Sequence, residues 1–274
     1  MTAITILDGP LGTQLDTRGV ATDSSNWSAA AIYSHPDVIR QIHRDYALAG
    51  ATVHTANTFR TQRRSVGDAW ESMARQAVQL TRDAIGDDLQ LAGSIAPLAD
   101  CYRPDLSPAI TQHDATIRHH REMAEVLADA DCDLLLCETF ANVSESLIAV
   151  QQAVKTGVET WLALTAGPNA NLLSPEEMAK AAQQAVDLGV AVVLVNCVAA
   201  TKTLAFVQAL ADAGLGVPIG AYANAGYSDD PIGWNDNSVQ AYLNHTKSWR
   251  DAGASIIGGC CGTTPRHIAA ITSL

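Results

Sequence analysis

Eight short runs of nearly continuous apolar residues punctuate the chain, at 4–7, 51–55, 89–94, 132–137, 160–165, 191–196, 218–222 and 254–258. They are rich in Val, Ile and Leu and do not alternate with polar positions. That pattern predicts strands buried on both faces, as in a parallel sheet. After each run comes a stretch whose apolar residues recur at helical spacing: 36–49, 71–85, 114–128, 143–156, 175–188, 203–213, 238–252 and 265–272. Ser34 ahead of Pro36, and Ser174-Pro175-Glu176-Glu177, read as helix starts, with a capping residue before a proline in the first turn. Gly50, Gly157, Gly189, Gly214 and Gly253 close five of the helices.

Strict alternation of eight strands and eight helices predicts an α/β fold, the (β/α)8 TIM barrel. The rival is a doubly wound open sheet, but no glycine-rich phosphate fingerprint follows the first strand. The length of 274 residues suits one such barrel, and no low-complexity linker divides the chain, so residues 1–274 are expected to form a single domain.

Composition narrows the partners. A formal net charge of -12 repels phosphate backbones, so no nucleic-acid partner is expected. No basic, then apolar, leader opens the sequence, and no run of 18 apolar residues is present, so neither secretion nor a membrane span is expected. The expected setting is the cytoplasm, where the six cysteines would be thiols, metal ligands or catalytic groups and not disulfides. An oligomer is compatible with these features and required by none of them.

In a barrel, chemistry gathers at the C-terminal ends of the strands. Those ends carry Asp8-Gly9-Pro10, Asn57-Thr58-Phe59, Ser94, Glu138-Thr139-Phe140, Asn196-Cys197, Asn224-Ala225-Gly226 and Gly258-Gly259-Cys260-Cys261. Cys197, Cys260 and Cys261 thus share one pole. Core packing, a vicinal redox pair and a tetrahedral zinc with one open position all remain open for them on spacing alone. Cys132 and Cys137 belong to a strand and Cys101 to a loop, and all three read mainly as small core residues.

The run Gly258-Gly259-Cys260-Cys261-Gly262-Thr263-Thr264-Pro265 resembles the C-terminal signature of the homocysteine S-methyltransferase family. Asp8-Gly9-Pro10-Leu11-Gly12-Thr13 resembles its opening motif. Asn57-Thr58-Phe59, Glu138-Thr139-Phe140, Val195-Asn196-Cys197 and Asn224-Ala225-Gly226 are similar to its internal motifs, in order. The resemblance spans essentially the whole chain and implies a (β/α)8 barrel. It also implies Zn2+ held by Cys197, Cys260 and Cys261, and methyl transfer to the thiol of homocysteine to give methionine. Asp8 and Glu138 match acids that help hold the substrate amino group; a loop-capping carboxylate is the competing reading. Gly9 lies in a loop whose backbone N–H groups suit the substrate carboxylate, although Pro10 stands where the family pattern has a small residue and removes one donor. Asn224 matches an asparagine near the metal, against the plainer reading of a turn residue.

S-methylmethionine or S-adenosylmethionine is the simplest donor. No folate or cobalamin module follows the last predicted helix, so betaine or a separate corrinoid protein are the other donors in view. Trp27, in Asn26-Trp27-Ser28-Ala29, resembles a motif of the S-methylmethionine branch, where an aromatic face would hold a sulfonium; packing is the alternative. Selenocysteine or another small thiol is the alternative acceptor, and a non-catalytic zinc-binding protein the alternative outside catalysis. The histidines show no zinc-ligand spacing: His119 and His120 read as solvated, His267 as a packing or capping residue, and His54 as a strand residue facing the barrel interior.

Overall fold

The computed structural model describes residues 4–22, 27–226 and 239–274. Its strands are β1 (Thr5–Ile6), β2 (Val53–Thr55), β3 (Gln90–Ile95), β4 (Leu134–Phe140), β5 (Glu159–Leu164), β6 (Val192–Ala199), β7 (Ile219–Asn224) and β8 (Ala254–Gly259). They run parallel in the order β1-β8-β7-β6-β5-β4-β3-β2. The two ends of that order meet. Leu7 bridges Val53, Asp8 N donates to Val53 O at 3.0 Å, and Thr52 N donates to Ile6 O at 2.8 Å. The sheet therefore curls into a (β/α)8 barrel, whereas a doubly wound sheet would leave two edges exposed.

The helices are α1 (Leu11–Thr17), α2 (Ala31–Ser34), α3 (Pro36–Leu48), α4 (Arg63–Val66), α5 (Trp70–Ile85), α6 (His113–Asp129), α7 (Val143–Val154), α8 (Pro175–Asp187), α9 (Ala200–Asp212), α10 (Val239–Asp251) and α11 (Pro265–Ile271). The short α1, α2 and α4 were not legible as periodic segments; they fill the connections after β1 and β2. The predicted start at Ser238, and Asn26 of the tryptophan motif, lie outside the described residues. Ser174 caps α8 as read. Its Oγ accepts from Glu177 N at 3.2 Å and the Glu177 carboxylate accepts from Ser174 N at 2.8 Å, a pairing that contributes about 1 kcal/mol.

Alternation along the strands sorts residues between two cores. Leu134 and Leu136 fill the barrel interior with Leu7, Val53, Ala92, Trp161, Leu194 and Tyr222, whereas Leu135 and Cys137 face the helices. Continuing that period of two carries Ser94, Glu138 and Asn196 onto the uppermost inward layer.

Two strands run further than the apolar runs predict. β4 continues past Glu138 to Phe140 and β6 past Cys197 to Ala199, each through a register shift. The polar residues that suggested strand ends sit instead at bulges. Thr139 (φ 64°) and Cys197 (φ 53°) are the left-handed residues there. A bulge re-aims a side chain without ending the pairing, which apolar patterning cannot reveal.

Candidate active site

The bulge at Cys197 turns its sulfur toward the loop after β8. Cys197 Sγ lies 2.6 Å from Cys260 Sγ, and Cys260 Sγ lies 4.0 Å from Cys261 Sγ. All three sulfurs fall within 4.8 Å of one another, and all six cysteines are unbridged. Tight backbone packing delivers the pair on the loop. A Cβ at Gly258 would come within 2.7 Å of Leu7, and one at Gly259 would overlap Thr263. Thr263 Oγ1 meanwhile donates to Cys260 O at 2.9 Å.

Polar support for Cys197 comes from its neighbours. Asn196 Nδ2 donates to Thr139 Oγ1 at 2.8 Å and lies 3.6 Å from Cys197 Sγ. Left-handed backbone at a β-branched residue such as Thr139 costs about 1–2 kcal/mol, a strain characteristic of functional sites. Hydrogen bonds from Cys197 and Cys260 pull Cys261 well below the ordinary thiol range, and those to Cys197 and Cys261 push Cys260 well above it. A bound cation would let all three ionise.

Beside the sulfurs opens a cavity of about 600 Å³ at the C-terminal mouth of the barrel. Asp8, Gly9, Glu138 and the three cysteines all line it. Glu138 is buried, and both of its oxygens are held: Ser94 Oγ donates to Oε1 at 2.5 Å and Tyr222 Oη donates to Oε2 at 2.8 Å. Burial raises its pKa, and these two hydrogen bonds only partly oppose the rise. Asp8 Oδ2 accepts from Thr55 N at 3.0 Å, and burial pushes its carboxyl well above the usual range. Gly9 is required by Tyr46, whose hydroxyl would sit 2.5 Å from any Cβ there. Asn224 stands one step back from the cavity lining. Its Nδ2 donates to Cys197 O at 3.2 Å, while its buried Oδ1 finds no partner among the described residues.

Trp27 and Phe59 meet edge to face at 5.8 Å and, with Tyr102 and Arg60, form the outer wall. Cys101 also lines the cavity and is not a core residue. Burial pushes its thiol up to about 12, which makes it a poor nucleophile. Cys132 and Cys137 pack in the core as read. His267 caps α11, where Nδ1 accepts from Thr264 N at 3.1 Å. His120, expected on a solvated face, is instead buried on α6, with Nε2 3.2 Å from Glu145 Oε1. A helix in contact with both neighbours and the sheet has fewer solvated positions than its polar residues suggest.

A family model described as homocysteine S-methyltransferase matches residues 5–274. The chain belongs to the homocysteine S-methyltransferase family. It is 31% identical to the homocysteine S-methyltransferase of Escherichia coli K12, over 98% of this chain and 94% of that one. It is 27% identical to the selenocysteine methyltransferase of Astragalus bisulcatus, over 97% of this chain and 90% of that one. Among solved structures, the metallated form of E. coli homocysteine methyltransferase MmuM superposes with a TM-score of 0.83 at 28% identity, covering 99% of this chain and 96% of that one. As a member of the family, this chain is a methyltransferase with a TIM-barrel fold. No described helix is long and apolar enough to cross a membrane.

Ser94, Thr139, Asn196 and Tyr222 enter the site as supports that the motifs alone did not assign. The signal for Ser94, Asn196 and Tyr222 was their place as the last residue of an apolar run, in the inward phase of its period of two. Nothing in the sequence marks the strain at Thr139.

Proposed function

We propose that this homocysteine methyltransferase holds Zn2+ through Cys197, Cys260 and Cys261 and takes its methyl group from a sulfonium, S-methylmethionine or S-adenosylmethionine. The observation that carries the reading is the convergence of three soft sulfur ligands at the wall of the cavity, with no fourth His, Cys or carboxylate joining them among the described residues. Three thiolates and an open position suit a catalytic zinc better than a closed structural one, which argues against a non-catalytic binder. When bound, zinc would supply a Lewis acid that keeps the substrate thiol ionised at neutral pH.

The chain's own residues do the rest. Asn196 and Thr139 hold the Cys197 side chain in its strained position. Glu138, fixed by Ser94 and Tyr222, faces the substrate ammonium, with Asp8 as a second acid on the same wall. The amides of Gly9 and of the first turn of α1, where Pro10 contributes none, suit the substrate carboxylate. Trp27 and Tyr102 line the cavity as aromatic side chains suited to a sulfonium, while the Phe59 ring carries the Arg60 guanidinium at 5.3 Å. In the reaction, the homocysteine sulfur forms its bond to the methyl carbon as the donor's S–CH3 bond breaks. The donor leaves as a neutral thioether and the thiol proton passes to solvent. Opposite charges vanish together, a change that a water-poor pocket favours. A reducing, cytoplasmic setting belongs to this reading, as does the treatment of residues 1–274 as one barrel domain.

The test is a donor panel: purified enzyme, homocysteine, and S-methylmethionine, S-adenosylmethionine, betaine or a methylated corrinoid in turn, with methionine measured by mass spectrometry. Turnover with a sulfonium and loss of turnover in Cys260→Ser support the proposal. Turnover with betaine or corrinoid alone would reassign the donor. The likeness to a selenocysteine methyltransferase favours one further arm, with selenocysteine as acceptor.

A further inference from the structure

A second set of ligand atoms, apart from the cysteines, converges at Asp8 on the cavity wall. Asp8 follows β1, His43 lies on α3 and His54 on β2, and all three are buried. His43 Nδ1 lies 3.9 Å and His54 Nδ1 3.8 Å from Asp8 Oδ2. The three atoms fall within 4.8 Å of one another.

Thr81 Oγ1 donates to Ala77 O at 2.9 Å, so its one proton is spent. Its 3.2 Å contact with His43 Nε2 therefore has the imidazole N–H as donor. His54 Nε2 lies 3.3 Å from Ala51 O, and a carbonyl only accepts. Each ring thus carries its proton on Nε2, and each neutral ring presents Nδ1 as a lone pair. Neither Nδ1 has a hydrogen-bond partner among the described residues. Burial holds both rings neutral, with His43 lowered to about 3 and His54 to about 4. Two lone pairs and a carboxylate oxygen face one small volume; among the described residues the donor recorded at that oxygen is the Thr55 amide at 3.0 Å, and none is recorded at either Nδ1.

We propose that Asp8, His43 and His54 form a second metal site, for a divalent transition ion of the zinc class. Two imidazoles and one carboxylate are the borderline ligands such ions prefer, and are poor ligands for calcium or magnesium. Metal-bound histidines characteristically donate their other ring N–H to a carbonyl or similar acceptor, which fixes the ring. Both rings here are fixed in that way, by Ala51 O and by Thr81. Around an ion with bonds of about 2.1 Å, tetrahedral ligands lie about 3.4 Å apart, so the nitrogens need to approach Asp8 by only about 0.5 Å. A dication would also offset the burial that opposes ionisation of Asp8. It would tie β1, β2 and α3 together directly behind the cavity.

The test uses the full chain with Cys197, Cys260 and Cys261 all replaced by serine. Zinc per chain is measured by mass spectrometry after loading and dialysis. One equivalent retained, against two in the parent, is the expected result; none retained overturns the proposal. His54→Leu in the parent background should hold one equivalent, and its cobalt form should keep intense thiolate-to-metal absorption. The cobalt-loaded triple-serine variant should show only weak visible bands. Should His54→Leu fail to fold, the triple-serine protein still decides: zinc should raise its Tm, and an unchanged Tm overturns the site. Failure of the cysteine site would look different, because the triple-serine variant would then hold as much metal as the parent.

Discussion

Thr139 Oγ1 lies 3.9 Å from Cys197 Sγ, and each of these residues is the left-handed member of a bulge in its own strand. Asn196 links them by donating to the Thr139 hydroxyl. Thr139→Val keeps the side-chain shape and removes that acceptor. Loss of such a supporting contact should weaken metal affinity by roughly 10- to 100-fold. Competition with a chelator of known affinity would measure it.

Cys260→Ser should lower kcat/KM by more than the roughly 100-fold assigned to a supporting residue, because it removes a ligand itself. Zinc content should fall in parallel. Full activity in a variant with no bound metal would contradict the proposed role of the sulfurs.

Glu138→Gln preserves the shape of a side chain gripped by Ser94 and Tyr222 but deletes its charge. A charge-assisted contact contributes about 1.5–3 kcal/mol, so KM for homocysteine should rise by roughly 10- to 100-fold, with a smaller effect on kcat. Burial raises the pKa of Glu138 above its ordinary 4.5. As pH falls through that raised value the carboxylate is lost, so KM should climb at higher pH than for an exposed glutamate. The Gln variant should lack this pH dependence, as steady-state kinetics across pH would reveal.

Gly9→Ala would drive a Cβ to 2.5 Å from the Tyr46 hydroxyl and 2.6 Å from its ring. Overpacking of this kind costs about 1–3 kcal/mol and should lower Tm. Adding Tyr46→Phe should restore only part of the loss, since the ring atoms remain in place.

Glu145 on α7 ties down the loop that forms the cavity's rim. Its carboxylate accepts from Leu98 N at 2.7 Å, Ser107 Oγ at 2.5 Å and His120 Nε2 at 3.2 Å. Burial alone would raise its pKa, but the bonds from His120, Leu98 and Ser107 prevail and hold it below 4.5. A depressed carboxyl contributes stability that is full above the unfolded value and is lost as pH falls through the folded one. Glu145→Gln should therefore destabilise by about 1–3 kcal/mol at neutral pH. The gap in Tm between variant and parent should narrow as pH drops below 4.5, which calorimetry would follow.

Much of this molecule is written in one-dimensional pattern. The buried strands announce themselves because a barrel wall between core and helices has no polar face; Cys260 and Cys261 stand where such a wall ends, and Cys197 at a bulge two residues short of its strand's end. What escaped notice depends on contact between distant segments. His43, His54 and Asp8 are brought together only by the packing of α3 against β2 and the closure of β1 on β2. His120 looked like a surface residue because its partner Glu145 lies 25 positions away. The bulges were unreadable because Thr139 and Cys197 have ordinary identities and unusual dihedrals.

The sulfur of Cys197 hangs from a strand that continues two residues beyond it and stays paired with β7. Its location is an attribute of the scaffold, while Trp27, Phe59 and Tyr102, which line the same cavity, lie outside the strands. Under the proposed function, exchange of those segments would alter which donor is admitted and leave the three sulfurs in register, a division of labour that suits this barrel to grafting of new alkyl donors.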